Sequence, residues 1–290
     1  MSTNIENTTV CVMGLGYVGL PTAAILAGQG YRVHGVDTAR GVVRKINAGA
    51  AHIHEPGLRE IIRDRVAEGR LTAHIKPRPA HVFIIAVPTP IKEDKSPDIS
   101  FVEKAVRMIA PHLRPGNLVI IESTCPVGAT ERAAHMLRDL RNDLSIPDYS
   151  KEETPRPDHC LSICYCPERV LPGNVFAEFV NNNRLVGGVD PQSAEHAKKF
   201  YRTVVRGKIF TTDCRTAEMA KLAENTYRDV NIAFANELAL LARGHGVDVH
   251  ELAALANQHP RVNIHNPGPG VGGHCIPVDP WFLVHGEKAN

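Results

Sequence analysis

The sequence carries little net charge. Its 33 lysines and arginines stand against 31 aspartates and glutamates, a formal +2. That is too little for a general pull on nucleic acid or an anionic membrane, so any bound anion must be held by local groups. Long hydrophobic runs are missing as well. The longest is about seven residues, against the roughly 20 of a membrane-spanning helix. The start, Ser2-Thr-Asn-Ile-Glu-Asn7, is polar and has neither the basic opening nor the apolar core of a signal peptide. The seven cysteines are odd in number and lack the spacing of a disulfide framework, which favours a reducing, cytoplasmic setting. There is no internal repeat and no low-complexity tract. What is present is ordinary globular composition, 43% hydrophobic and 22% charged over 290 residues. Such a chain can bury the core of one large or two medium domains.

Apolar and β-branched runs predict strands at Thr9–Met13, Arg32–Asp37, Val82–Val87, Leu118–Ile121, Leu161–Cys166 and Arg184–Val189, with helical stretches between. Strands alternating with helices predict a mostly parallel sheet covered on both faces, an α/β Rossmann-like architecture. The polar, Pro-rich stretch 145–158 reads as an exposed loop. After Thr212 the period becomes helical. Ala217–Arg243 forms one long predicted helix ending at a Gly244-His-Gly246 cap, and Val249–Gln258 forms another. A boundary near residue 206 then separates a nucleotide-binding domain, 1–205, from a smaller helical domain, 206–290.

Gly14-Leu-Gly-Tyr-Val-Gly19 follows a strand, opens a helix, and precedes Asp37 at the end of the next strand. In that context G-x-G-x-x-G is a strong dinucleotide signal. Gly14 makes the tight turn, Gly16 admits a pyrophosphate, and Gly19 lets helix and strand approach. Asp37 accepts from a ribose 2′-OH and repels a 2′-phosphate, so NAD is the expected cofactor.

Three further strands end in polar groups: Val87-Pro-Thr-Pro90, Glu122-Ser-Thr-Cys-Pro126 and Cys166-Pro-Glu-Arg169. Ligands of open α/β sheets sit beyond the carboxyl ends of the strands, so Thr89, Thr124, Glu168 and Arg169 are expected to converge on one cleft. Cys160, Cys164 and Cys166 do not have zinc spacing, and two of them alternate on one strand face as small buried thiols do. No metal is expected.

Lys221, Asn225 and Arg228 fall at i, i+4 and i+7 on one face of the long helix. The apolar Ala220, Leu222, Ala223 and Ile232 around them predict a largely buried helix, and a cationic stripe there needs an anionic partner. Near the end comes Pro267-Gly-Pro-Gly-Val-Gly-Gly-His-Cys-Ile-Pro-Val-Asp-Pro280. Four glycines and four prolines exclude an ordinary helix or central strand, and a stiff loop of this kind presents its one thiol, Cys275.

Together with Gly-Leu-Gly-Tyr-Val-Gly-Leu-Pro, Cys-Pro-Glu-Arg-Val-Leu-Pro-Gly and Lys221-Leu-Ala-Glu-Asn-Thr-Tyr-Arg-Asp-Val-Asn231, these motifs resemble those of the UDP-sugar 6-dehydrogenases (the UDP-glucose/GDP-mannose dehydrogenase family). The resemblance covers essentially the whole chain. Pro167-Glu-Arg-Val-Leu-Pro-Gly173 and His259-Pro-Arg-Val-Asn263 are most similar to the UDP-N-acetyl-D-mannosamine dehydrogenase branch. It implies NAD-dependent oxidation of a sugar C6 alcohol to a carboxylate, for cell-surface polysaccharide precursors, by a homodimer joined through the helical domain. Cys275 is then the nucleophile of a thiohemiacetal and thioester. Lys221 and Asn225 assist at O6, Asp279 orients a water or Lys221, and Glu168 with Thr124 serves the hydrolytic water. Arg169, Val170, Lys221, Asn225, Arg228, His259, Arg261 and Gly272 match UDP-sugar contacts. Gly14, Gly16, Tyr17, Val18, Gly19, Asp37, Thr89 and Thr124 match NAD contacts.

Members of the family continue for about 100–150 residues more, into a second Rossmann-like unit that closes over the UDP portion. The sequence ends before such a unit, so the expectation is NAD binding with weak UDP-sugar binding. Two other readings stay open. One is a β-hydroxyacid dehydrogenase, which reduces one NAD and needs no cysteine. The other is a non-catalytic NAD-binding fragment.

Overall fold

The computed structural model describes residues 5–153, 155–157, 159–273 and 275–287. Among them the strands are β1 (Thr9–Met13), β2 (Arg32–Val36), β3 (Leu71–His74), β4 (Val82–Ile85), β5 (Leu118–Ile121), β6 (Ser162–Tyr165), β7 (Arg184–Gly188) and β8 (Ile209–Asp213). The helices are α1 (Gly19–Gly28), α2 (Arg40–Asn47), α3 (Leu58–Ala67), α4 (Ser100–Ile109), α5 (Ala129–Leu140), α6 (Val175–Asn181), α7 (Pro191–Tyr201), α8 (Cys214–Gly244), α9 (Val249–Ala256) and α10 (Asp279–Glu287).

The strands form one sheet in the order β3-β2-β1-β4-β5-β6-β7-β8. Neighbours are parallel except β6 and β7. Alternation along each strand supplies two core layers. Val10, Val12, Ile84 and Ile120 face one, with Leu20 and Ala24 of α1 and Ala197 of α7. Cys11, Met13, Phe83, Ile85, Val119 and Ile121 face the other, with Val102 and Val106 of α4 and Ala133 and Leu137 of α5. Helices cover both faces, so the strand runs need no polar side, and β4 and β5 are buried throughout. The strand order reverses between β1 and β4, the kind of switch point where such sheets bind ligands. The carboxyl ends there are in register, Met13 with Ile85, Ile85 with Ile121, and Ile121 with Tyr165.

The periodicity passes over two strands, β3 and β8. Both lie at the sheet margins. β3 is four residues long, and β8 leaves Phe210 53% exposed. β8 also moves the domain division. The chain separates into one compact unit of Met1–Thr89 with Asp98–Glu218 and a second of Pro90–Pro97 with Met219–Asn290. Residues 206–218, expected in the helical domain, belong to the first unit because β8 pairs with β7 from Ile209 to Asp213. The Glu218 carboxylate adds a further tie, accepting from the Gly128 N–H at 2.6 Å and from the Thr130 N–H and hydroxyl at 2.8 and 2.6 Å. It thereby satisfies donors at the start of α5.

The second unit is helical, as expected. α8 ends where predicted, with Gly246 at φ +69° and the Val247 N–H bonded to the Ala242 carbonyl at 2.9 Å. Asp248 caps α9 through the His250 and Glu251 N–H groups. The expectation of a largely buried α8 is corrected. Leu222, Ala235 and Ala242 are buried, but Met219, Tyr227, Val230, Phe234, Leu240 and Leu241 are each more than half exposed. One stripe of the helix packs, and its apolar content exceeds what that stripe uses. Among the described residues no helix is long and apolar enough to cross a membrane.

Candidate active site

The glycine turn joins β1 to α1. Gly14 has φ +89°, and a Cβ there would lie 2.5 Å from the Ala86 carbonyl oxygen. A Cβ on Gly19 would meet the Gly14 carbonyl oxygen at 1.9 Å, whereas one on Gly16 would meet nothing within 4 Å. Gly14 and Gly19 therefore close the turn onto the sheet, and Gly16 leaves bare backbone toward open space. No side chain caps the start of α1, whose N-cap is Val18, so its first amides point outward with the positive end of the helix dipole. Tyr17 is exposed. Asp37 accepts from the Leu15 N–H at 3.1 Å and the Ala39 N–H at 2.8 Å, which fixes its carboxylate at the end of β2 beside the turn. A bare amide turn and a fixed carboxylate fit a dinucleotide's pyrophosphate and ribose diol.

Thr89, Thr124 and Glu168 follow the in-register ends of β4, β5 and β6, so three neighbouring strands deliver them to one edge of the sheet. Thr89 and Thr124 are half-buried. The Ser123 hydroxyl donates to the Val87 carbonyl at 2.7 Å and ties the two threonine-bearing turns together. One Glu168 oxygen accepts from the Arg169 N–H at 2.7 Å, the other from the Arg184 guanidinium at 3.2 Å. Arg169 is exposed and Val170 half-buried. The loop carrying them is also held by Glu55, whose carboxylate accepts from the Gly173 and Val175 N–H groups at 2.8 and 2.9 Å. Glu55 and Arg184 escape sequence reasoning because each is remote in sequence from the segment it holds and sits in no motif.

In the second unit, Asn225 of α8 is buried, Lys221 half-buried and Arg228 exposed. The Asn225 amide donates to the Asp279 carboxylate at 2.5 Å. Cys275 is exposed, and its carbonyl accepts from the Val278 and Asp279 N–H groups at 3.0 and 2.9 Å. The turn so formed leads into α10. Surrounding protein and the Asp279 charge push the Cys275 thiol pKa up, while Lys221 opposes. Burial raises the Asp279 carboxyl, opposed by the Asn225 hydrogen bond and by Lys221. Four residues expected to carry chemistry, Cys275, Lys221, Asn225 and Asp279, therefore form one electrostatic group. His274 of the same motif lies outside the described residues.

His259, Arg261 and Gly272 are exposed. The Arg261 N–H donates to His259 Nδ1 at 3.3 Å. Asn257 pins the loop that carries the His-Pro-Arg segment, accepting from the Ile264 N–H at 2.7 Å and donating to its carbonyl at 3.0 Å. Asn236 of α8 accepts from the Gly268 N–H at 2.7 Å. These asparagines were missed, although Asn is unfavoured in a helix and at its end commonly bonds nearby backbone. Among the described residues no group of three His, Cys, Asp or Glu side chains is placed to hold a metal ion.

Residues 8–205 match the NAD-binding domain of the UDP-glucose/GDP-mannose dehydrogenase family, and residues 215–290 match that family's central domain. The chain belongs to this family. It is 52% identical over 281 residues to the NDP-N-acetyl-D-galactosaminuronic acid dehydrogenase of Ralstonia nicotianae, covering 97% of this chain and 65% of that protein. It is likewise 52% identical over 276 residues to the UDP-N-acetyl-D-mannosamine dehydrogenase of Yersinia pestis, covering 95% of this chain and 64% of the relative. The solved UDP-D-ManNAc dehydrogenase of Pyrococcus horikoshii superposes with a TM-score of 0.88 at 46% identity, over 97% of this chain and 65% of that one. The chain thus spans just under two thirds of the length of these relatives. Residues 8–205, which include the Gly14–Gly19 turn and Asp37, are the family's NAD-binding domain.

Proposed function

We propose that the chain belongs to an NAD-dependent UDP-sugar 6-dehydrogenase that oxidises a C6 alcohol to the carboxylate through Cys275. The observation that carries this reading is the grouping of Cys275 with Lys221, Asn225 and Asp279 in a chain that also bears the NAD domain. When bound, the cofactor accepts a hydride. Lys221 assists proton movement at the O6 hydroxyl, and Lys221 and Asn225 stabilise the oxyanion that develops there. An aldehyde has no second hydride to give until a nucleophile adds, and the Cys275 sulfur supplies that nucleophile by forming a thiohemiacetal. The second oxidation gives a thioester, which water cleaves. Glu168 acts as base toward that water, with Thr124 assisting. Asp279 orients Lys221 or a water.

Arg169, Val170, Arg228, His259, Arg261 and Gly272 hold the UDP-sugar. Gly14, Gly16, Tyr17, Val18, Gly19, Asp37, Thr89 and Thr124 hold NAD. The sugar is an N-acetylated hexosamine. The His259-Pro-Arg-Val-Asn263 segment favours UDP-N-acetyl-D-mannosamine, giving the uronate used for cell-surface polysaccharide. The equally similar relative named for N-acetyl-D-galactosaminuronic acid keeps the galacto sugar as the second reading. A reducing cytoplasm suits a free, exposed Cys275.

The test is NADH yield per sugar across a panel of UDP-sugars. Two per sugar supports the proposal. One per sugar returns the β-hydroxyacid type of reaction, and none returns a cofactor-binding role alone.

A further inference from the structure

Arg184 is an arginine in the middle of a protein core. It begins β7, is 5% exposed, and has its guanidinium carbon 4.2 Å from the Phe179 ring centre and 4.6 Å from that of Tyr201. The two rings restrict the plane of the guanidinium, and its edges are left to polar partners. One edge donates to Glu168 at 3.2 Å. The other lies 3.6 Å from Glu122 and from the Cys166 sulfur. Glu122 is itself fixed, accepting from the Tyr201 hydroxyl at 2.7 Å and the Thr22 hydroxyl at 3.2 Å. Thr22 lies on α1, the helix of the nucleotide turn.

This core therefore holds one cation between two carboxylates, against the expectation that buried charge is avoided unless it serves something. Burial and the charge of Glu168 raise the Glu122 carboxyl, while Arg184 lowers it. The shorter of the two carboxylate contacts of Arg184 is with Glu168, at the strand end, and the longer is with Glu122. Nothing in the proposed chemistry above uses Arg184 or Glu122.

We infer that Arg184 is a positioning residue for Glu168, holding its carboxylate aimed at the carboxyl end of β6, with Glu122 and the two aromatic rings holding Arg184 in turn. This rests on the proposed role of Glu168 as base. In that step a water proton passes to the Glu168 carboxylate as the water oxygen bonds to the thioester carbonyl carbon. The carbon–sulfur bond then breaks, sulfur leaves as the Cys275 thiolate, and the sugar acid ionises. A carboxylate free to rotate does this poorly.

The experiment compares Glu168→Gln, Glu122→Gln, Arg184→Lys and the pair Arg184→Met with Glu122→Gln in the intact enzyme. The pair avoids leaving a buried carboxylate without its cation. Readouts are kcat and KM, the sugar adduct on Cys275 by intact mass, and NAD affinity by calorimetry. The pair is expected to lose roughly 10-fold or more in kcat, within the ~10²–10⁴ that a general base contributes, with KM for the UDP-sugar unchanged and the adduct accumulating as in Glu168→Gln. Glu122→Gln alone accumulates none, and Arg184→Lys, which keeps the charge but not the planar fork, falls between. NAD affinity stays as in the unaltered protein throughout.

A pair that turns over like Glu122→Gln overturns the inference. So does a pair that loses NAD binding, since Arg184 then serves folding only. An absence of adduct in Glu168→Gln removes the role of Glu168 itself, and the inference with it.

Discussion

The side-chain amide of Asn225 meets the carboxylate of Asp279 at 2.5 Å, although 54 residues separate them in sequence. The bond fixes α8 against the first residue of α10, four positions after Cys275. It also satisfies a buried amide and a buried acid with one contact, where either alone would cost about 1–3 kcal/mol. This polar pair thus ties the thiol turn to the long helix.

Burial is the main influence on the acidity of the thiol. It raises the Cys275 pKa, the Asp279 charge adds to the rise, and Lys221 opposes it. Alkylation of Cys275 by iodoacetamide is therefore slow at neutral pH and quickens as pH rises, with a midpoint above the ~8.5 of a free thiol. Asp279→Asn shifts the midpoint down, and Lys221→Met shifts it up. The other six cysteines are buried, so the adduct is read by intact mass. A midpoint below that of a free thiol in the ligand-free chain contradicts this account.

The glycine turn separates folding from binding. Gly19→Ala puts a methyl 1.9 Å from the Gly14 carbonyl oxygen, which the sheet cannot yield to, and its thermal midpoint falls by several degrees, about 2–4 °C per kcal/mol at this size. Gly16→Ala meets nothing, so it keeps the midpoint and weakens NAD by about tenfold or more, a cost of about 1.4 kcal/mol or more. Differential scanning calorimetry and titration calorimetry report the two effects independently. Equal loss of NAD affinity with no stability difference between the variants would refute the assignment.

The exposed stripe of α8, with Phe234, Leu240 and Leu241 each more than half exposed, suits a second copy of the chain. Light scattering after gel filtration is expected to give a dimer mass. Phe234→Glu with Leu241→Glu is expected to give the monomer with unchanged helical circular dichroism. A monomer from the unaltered chain removes the homodimer proposal.

The strands that the sequence made legible are those buried on both faces. Val82–Ile85 and Leu118–Ile121 read as continuous apolar runs because helices cover both sides. β3 and β8 did not, since Leu71-Thr-Ala-His is too short for a period and Ile209-Phe-Thr-Thr-Asp mixes polar and exposed positions at a margin. The glycine turn, Asp37, Lys221, Asn225 and Cys275 were legible because each sits in a local pattern with a local reason. Arg184, Glu122 and Glu55 were not. Their partners lie far off in the chain, Glu122 from Thr22 by 100 residues and Glu55 from Val175 by 120.

By itself the sequence determined what depends on neighbours along the chain. That includes the strands that read as continuous apolar runs, the turn that bares its amides, and the stiff loop that carries a thiol. Tertiary structure alone decided which buried charges meet. A carboxylate or guanidinium leaves water only where a partner waits. Only the folded sheet brings Thr22, Glu122, Glu168, Arg184 and Tyr201 into one core, and only the packed helices bring Asn225 to Asp279.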